Sequence, residues 1–252
     1  MFYNYRMKFF CANINRRPPF RSSLTLGRFA TGFATATRRS SLFFLSFFFF
    51  SLVFLSCRPQ IAIKAGADDS ASIFFSTGFS EATARTLQNL TGANPDATLF
   101  SKDDILLLLK SAGAINTSAV LPKPNEISAS GTISQVADNP LSKTGLLSKN
   151  DKSLTLTIGP KQISAFYELL NEDAKSYLDL MMIPALIGEK MDSKEYEDLL
   201  SSMYGPTFAQ EIVGGKLSII LSSPDGRRTL KETITLGELL TASEEKSWTV
   251  KY

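Results

Sequence analysis

Alternating apolar and polar residues predict strands along much of the chain. In residues 126–136, isoleucine and alanine alternate with serine and threonine, so one face of the segment is apolar and the other is polar. The clearest hairpin signal is the turn 223–226, where proline holds the second position and glycine the fourth position of a type I turn. The segments predicted as strands are 71–79, 126–136, 153–158, 216–222, 229–236 and 247–251.

Apolar residues spaced three and four apart predict helices between these strands. Ser80 and Ser101 precede two such segments as N-caps, and the second contains an unbroken apolar run at 105–109 that predicts a buried helix. A longer helical block begins at Pro160, and another helix, capped by Asp192 or Ser193, follows it. The residues expected on the apolar faces of these last two helices are Ile163, Phe166, Tyr167, Leu170, Ala174, Tyr177, Leu178, Met181, Tyr196, Leu199, Leu200 and Met203.

These elements predict a single α+β domain over residues 71–252, with a mainly antiparallel sheet covered by several helices. Neither an internal repeat nor a change in composition divides this range. Residues 57–70 are mostly small and polar, which predicts a tether in front of the domain. Residues 137–152 form a long polar stretch between two strands, which predicts a flexible loop.

The longest apolar run of the chain lies before the domain, at residues 42–55. Ser46 and Ser51 are its only non-apolar residues, Arg38-Arg39 precede it, and Ser56-Cys57-Arg58-Pro59 follow it. A bilayer-spanning helix needs about 20 apolar residues, whereas the core of a signal peptide needs about 7 to 15 behind a positively charged region. The run therefore predicts a signal segment over residues 1–56.

The end of this run, Phe54-Leu55-Ser56-Cys57, resembles the lipobox of bacterial lipoprotein precursors. Ser56 matches the small residue before the cysteine, whereas Phe54 and Leu55 depart from the usual pattern and look like the looser boxes of spirochaete lipoproteins. The resemblance covers about 20 residues around the box and implies nothing about the domain. It implies that Cys57 becomes the first residue of the mature chain and carries lipid, with enough acyl chains for stable membrane attachment.

Other interpretations of this leader stay open. Cys57 could simply follow a short transmembrane or stop-transfer helix, or the Arg- and Ser-rich, acid-free residues 16–41 could form an organellar transit peptide. The pair Arg38-Arg39 is a weak match to a twin-arginine signal. Because signal peptides usually have about 15 to 30 residues, residues 1–37 are expected to be an extended leader or to precede the true start codon.

Charge divides the chain in the same place. The 252 residues carry 27 basic and 24 acidic side chains, and residues 1–56 hold eight of the basic ones and none of the acidic ones. Residues 57–252 therefore carry 27 − 8 = 19 basic and 24 acidic side chains, a net charge of −5. The leader also holds 13 of the 19 phenylalanines. An acidic domain argues against binding to nucleic acid.

Composition also excludes several kinds of chemistry. The chain has no histidine, which rules out Ser-His-Asp and Cys-His catalysis and histidine-ligated zinc. Only two cysteines are present, and one lies in the leader, so no disulfide framework is expected. Ser243 and Lys246 have the spacing of a Ser-Lys hydrolase, and Lys143-Thr144-Gly145 imitates a partner motif of such enzymes. The order of the two motifs is reversed, however, and the Ser-Asp-Asn element is missing. The acidic segment 189–198 is interleaved with lysines and is typical of a solvated helix face.

The sequence thus predicts a non-enzymatic lipoprotein of the cell envelope, attached to the membrane through Cys57 and facing the periplasm or the cell surface. No cofactor, metal or nucleic acid is expected. Besides the membrane, the expected partner of the protein is an unknown protein or apolar ligand. The alternative function is a carrier of lipid or another apolar ligand that uses helical residues 163–203. The ligand-binding residues of that alternative would be Phe166, Tyr167, Leu170, Tyr177, Met181, Tyr196 and Met203.

Overall fold

A computed structural model describes residues 58–91, 98–170, 172, 175, 178, 179 and 181–252. All of them belong to the unit Leu45–Tyr252. The prediction of an α+β fold with a mainly antiparallel sheet is confirmed for this unit.

The larger sheet has six strands in the order β3-β4-β2-β1-β7-β8. All neighbouring pairs are antiparallel except β1 and β7, which run parallel. The strands are β1 Gln60–Ala65, β2 Ala71–Gly78, β3 Ala114–Lys123, β4 Glu126–Ile133, β7 Lys216–Ser222 and β8 Thr229–Thr235.

A second, smaller sheet has three antiparallel strands in the order β5-β6-β9, namely β5 Leu147–Asn150, β6 Ser153–Ile158 and β9 Lys246–Lys251. The helices of the described residues are α1 Glu81–Thr91, α2 Lys102–Ser111, α3 Pro140–Lys143, α4 Pro160–Tyr167, α5 Pro184–Ile187, α6 Ser193–Tyr204, α7 Pro206–Gly214 and α8 Leu236–Leu240. A single 3-10 turn, Val136–Asp138, precedes α3.

The main hydrophobic core is shared by the two sheets. Because side chains alternate between the faces of a strand, every second residue of β1, β6 and β7 points into this core, and Ile133 joins it from the end of β4. The register aligns these positions across the sheet, as where Ile63 lies opposite Ile73 on β2. The buried members of the core are Ile63, Ala65, Ala71, Ile133, Val136, Leu147, Leu154, Leu156, Ile158, Leu217, Ile219, Leu221, Ile234, Leu239 and Val250.

A second core is formed by helices. Tyr196 and Leu200 of α6 pack with Phe208 and Ile212 of α7. Tyr204 meets Phe208 edge to face, with ring centroids 5.2 Å apart. Phe79, which follows β2, also packs against this cluster, so the helical core lies beside the end of the larger sheet.

The tether predicted over residues 57–70 is wrong for residues 60–65, which form β1. This strand lies inside the larger sheet, paired with β2 on one side and with β7 on the other. Its inward residues Ile61, Ile63 and Ala65 are small or β-branched and alternate with outward ones. Six residues suffice for a strand that is hydrogen-bonded on both edges, although the segment is too short to stand out by composition.

Two other predictions are corrected. The loop expected over residues 137–152 contains α3 and β5, because Leu147 is buried in the core and Asn139 caps α3 by accepting the Leu141 N–H at 2.9 Å. The helix α2, expected to be buried, has no fully buried residue, and Leu107 is 52% exposed. It packs against β3 at the edge of the larger sheet, where only part of its surface can be covered.

The helices after β6 also differ from the prediction. The helix expected to run from Pro160 past Leu170 ends at Tyr167 and is followed by turns up to Leu170. The described residues 172, 175, 178 and 179 are helical again. Pro184 begins α5, and Pro206 begins α7. Proline at the first position of each new helix explains these starts, because its fixed φ suits that position and its missing N–H is not needed there.

Candidate functional site

The first described residues place the region after Cys57 at the larger sheet. Cys57 itself lies outside the described residues. The Pro59 carbonyl accepts the N–H of Ser218 at 2.9 Å, so pairing with the neighbouring strand already begins before β1. Arg58 alone separates Cys57 from the first hydrogen-bonded residue.

The larger sheet has one face packed in the core and one face that is not. We call the second the outer face and define it by the register. Phe74 of β2 lies opposite Ala62 and Ser130, and Ala62 lies opposite Ile220, which pairs with Lys231. None of these outward side chains is buried, whereas the inward residues beside them on β1, β4 and β7 are. An antiparallel sheet commonly has one packed and one solvated face.

Small hydroxyl side chains dominate the outer face. Apolar side chains are interspersed among them, and Phe74 is 38% exposed while Val120 is 51% exposed. The serines and threonines that the register assigns to this face are Ser72, Ser76, Ser118, Ser128, Ser130, Thr132, Ser218, Ser222, Thr229, Thr233 and Thr235. Because these side chains are short, they project little from the sheet.

The charged side chains of the outer face are nearly all cationic. By register these are Lys64, Lys123, Lys216 and Lys231, and Arg58 extends the outward positions of β1. Glu126 is the acidic residue among them, and it pairs with Lys123 at 2.6 Å. Within the described part of the chain, the other four cations have no carboxylate within 4 Å. The outer face is therefore positive although residues 57–252 carry a net charge of −5.

A cavity of about 260 Å³ lies beside Arg58 at one end of the outer face. Arg58 lines it together with the outward residues Ser76, Glu126 and Ser128, and the backbone near Gly78 completes it. The lining thus includes one cationic residue, Arg58, and one anionic residue, Glu126, whose carboxylate pairs with Lys123.

The residues proposed for apolar-ligand binding occupy different surroundings. Tyr196 is fully buried in the helical core, and its hydroxyl donates to the Met181 carbonyl at 2.8 Å. Leu170 is buried, whereas Met203, expected on the buried face of α6, is 47% exposed. The remaining positions are Phe166 and Tyr167, which are half-buried on α4, and Tyr177, which lies outside the described residues.

Polar contacts occupy the Tyr167 side chain. Its hydroxyl donates to Asp179 at 2.9 Å, and the Lys175 ammonium lies 5.4 Å from its ring centroid. The hydrogen bond to Asp179 holds the pKa of the Tyr167 phenol above its ordinary value. The structure thus brings together Tyr196 with Met181 and Tyr167 with Asp179, and it places Met203 on the surface.

The acidic segment 189–198 stabilises the start of α6. Asp192 accepts the N–H groups of Lys194 and Glu195, each at 2.8 Å, and Glu195 accepts the Asp192 N–H at 2.9 Å, which completes a capping box. Lys194 pairs with Asp198 at 2.6 Å, which raises the pKa of the Lys194 ammonium. Among the described residues, no group of histidine, cysteine or carboxylate side chains could hold a metal ion.

A shallow cleft of about 910 Å³ lies beside this helix start. It is bordered by residues 190–193, Glu195, Glu238 and the loop 241–246. Ser243 lies in that loop and Lys246 begins β9, so the two residues are not separated by a helical turn. Ser243 and Lys246 therefore lack the geometry that a Ser-Lys catalytic pair requires.

A buried carboxylate, that of Glu211 on α7, has no signal in the sequence. It accepts the Ser80 N–H at 2.6 Å and also hydrogen bonds from the hydroxyls of Ser80 and Thr83. The Ser80 hydroxyl in turn accepts the Thr83 N–H at 3.2 Å, which caps α1. These contacts join α1 to α7, and no local pattern could have found them because 131 residues separate Ser80 from Glu211.

Comparisons with known proteins give no relative: no family model, no curated protein and no solved structure matches the chain. Among the residues that the structure describes, no helix is both long and apolar enough to cross a bilayer.

Proposed function

We propose that the chain is the precursor of a membrane-attached lipoprotein that works outside the cytoplasm and has a non-enzymatic binding or structural role. Residues 1–56 would serve as the signal segment, and Cys57 would carry the lipid. The membrane is then a partner through that lipid, and the folded domain would present its surface to a further partner in the cell envelope.

The observation that best supports this proposal is the position of β1. Its first residue, Gln60, follows Cys57 by three positions, and the strand lies inside the larger sheet. Cleavage before Cys57 would leave every strand and helix of the described residues intact. The cysteine therefore stands where a lipidated first residue is compatible with the fold.

Metabolic labelling tests the lipid on Cys57. The full chain would be expressed in a bacterial host with labelled palmitate, alongside Cys57→Ser and, as a matched control, Cys11→Ser. We expect label in the wild type and in Cys11→Ser and none in Cys57→Ser. Equal label in all three, or mature peptides that begin before Cys57, would overturn the proposal.

The non-enzymatic binding role is preferred over an apolar-ligand carrier because of the helical core. Tyr196 and Met181, two of the residues proposed for the ligand, contact each other and belong to that core. Native mass spectrometry of the mature protein, released from mild detergent, separates the two functions. An empty domain supports the binding role, whereas a stoichiometric second lipid besides that on Cys57 supports the carrier.

A further inference from the structure

We propose that the outer face of the larger sheet lies against an anionic lipid surface, that of the membrane to which Cys57 is attached. The inference rests on the proposed function, since it takes Cys57 as the attachment point. It adds which surface of the domain faces the bilayer and which lipid headgroups that surface recognises.

The short connection between Cys57 and β1 limits how far the domain can move from the membrane. From Cys57 to Gln60 the chain can span at most about 11 Å, at roughly 3.6 Å per residue. Pro59 is already hydrogen-bonded to Ser218, which shortens the free segment further. The sheet is therefore held near the bilayer. Arg58, the residue that follows Cys57 in sequence, is the first residue of the outer face.

The size of the outer face suits a flat surface. Six strands spaced about 4.8 Å apart and about 20 Å long give a platform on the order of 25 Å wide. Its hydroxyl side chains are short. The large exposed apolar side chains are Phe74 near the middle and Ile115 and Val120 on the edge strand β3. Aromatic and apolar side chains of this kind suit the region between headgroups and acyl chains.

Charge selects the anionic lipid as the occupant. Arg58, Lys64, Lys216 and Lys231 are exposed on the outer face and are not neutralised by a described carboxylate. A negatively charged leaflet attracts such cations within a Debye length of about 8 to 10 Å. A second copy of the domain would instead bring like charges together, so self-association through this face is disfavoured.

The test measures which lysines the membrane covers. The lipidated full-chain product, purified in detergent, is added to preformed vesicles of phosphatidylcholine with or without phosphatidylglycerol and treated with a membrane-impermeant amine reagent. Mass spectrometry then follows the modification of Lys64 and Lys231. Lys161 and Lys190 are exposed and do not belong to the outer face, so they serve as matched controls.

We expect Lys64 and Lys231 to react several-fold more slowly on the anionic vesicles than on the neutral ones, and molar salt to remove the difference. The controls should react equally on both. The double variant Lys64→Glu and Lys231→Glu should lose the protection of Lys216, which lies at the other end of β7 on the same outer face. Lys161→Glu and Lys190→Glu together should keep it.

Three different results would overturn the inference. In the first, all four lysines react equally on both kinds of vesicle and the Cys57 peptide carries lipid. This result would show that the outer face does not contact the membrane, and it would leave the proposed function unaffected. A Cys57 peptide without lipid would reject the proposed function, and the inference would fall with it. Protection of Lys161 and Lys190 instead would assign the contact to another surface.

Discussion

The buried carboxylate of Glu211 should contribute strongly to stability, because it is the point at which α1 is fixed to α7. Three donors converge on it: the backbone N–H of Ser80 and the hydroxyls of Ser80 and Thr83. Glu211 is 7% exposed and Thr83 is fully buried. Glu211→Ala would remove all three hydrogen bonds at once.

The size of the stability loss depends on whether each donor finds another partner once the Glu211 carboxylate is removed. A buried donor left without a partner costs about 1–3 kcal/mol, whereas Ser80, which is only half-buried, can turn to water. We therefore expect Glu211→Ala to lower the free energy of unfolding by about 2–4 kcal/mol. Glu211→Gln should cost less, since the amide oxygen still accepts one bond and hydroxyls can also accept from its NH₂ group.

Chemical denaturation of the mature protein measures these changes, with Glu232→Ala as the control. Glu232 is exposed on the edge strand β8, so its removal should change stability by less than about 0.5 kcal/mol. Amide hydrogen exchange should also become faster in α1 of Glu211→Ala. If that variant unfolds within about 1 kcal/mol of the wild type, the contacts of Glu211 do not hold α1 in place.

Two further predictions concern the helical region. Leu200→Ala, in the fully buried part of α6, should lower the free energy of unfolding by about 2–5 kcal/mol. Leu107→Ala on α2 should lower it by less than about 1 kcal/mol, because Leu107 is exposed. Equal losses in chemical denaturation would show that α2 is buried. Burial raises the pKa of the Tyr196 phenol, so the unfolded chain ionises first and stability should fall as pH rises above about 10. Tyr196→Phe should flatten that fall in alkaline denaturation curves, and an unchanged slope would contradict the assignment.

Elements whose signals are local were predicted well. The hairpin of β7 and β8 turns at residues 223–226, where Gly226 donates its N–H to the Ser223 carbonyl at 3.0 Å. Asp192, one of the two N-cap candidates for α6, and the predicted N-cap Ser101 both cap their helices. Each of these depends on side chains within four residues of one another, so the necessary information lies in a short stretch of sequence.

The larger errors came from segments whose surroundings are distant in sequence. The unbroken apolar run of α2 indicated burial, yet this helix lies at the sheet edge, where Leu107 is exposed. The segment 57–70 read as a tether because its composition is polar, although β1 needs only three inward apolar residues. Composition indicates how much apolar surface a segment can bury. The elements that pack against the segment decide how much of that surface is buried.

The candidate site divides in the same way. Cys57 and the apolar run before it are consecutive in sequence, so the lipidation prediction needed no fold, and it stays a prediction. The outer face could not be seen, because its cations come from β1, β3, β7 and β8. Their spacing along the chain shows no cluster.

The sequence by itself determined the exclusion of histidine chemistry and of a disulfide framework, most strands and the helix caps, since all of these depend on composition or on near neighbours. The leader is also predicted from the sequence alone. Only the tertiary structure decided that β1 lies between β2 and β7, that Glu211 closes the start of α1, and that a domain of net charge −5 has a positive face. The physical reason is that pairing, burial and surface potential are sums over residues that folding brings together from far apart in the chain.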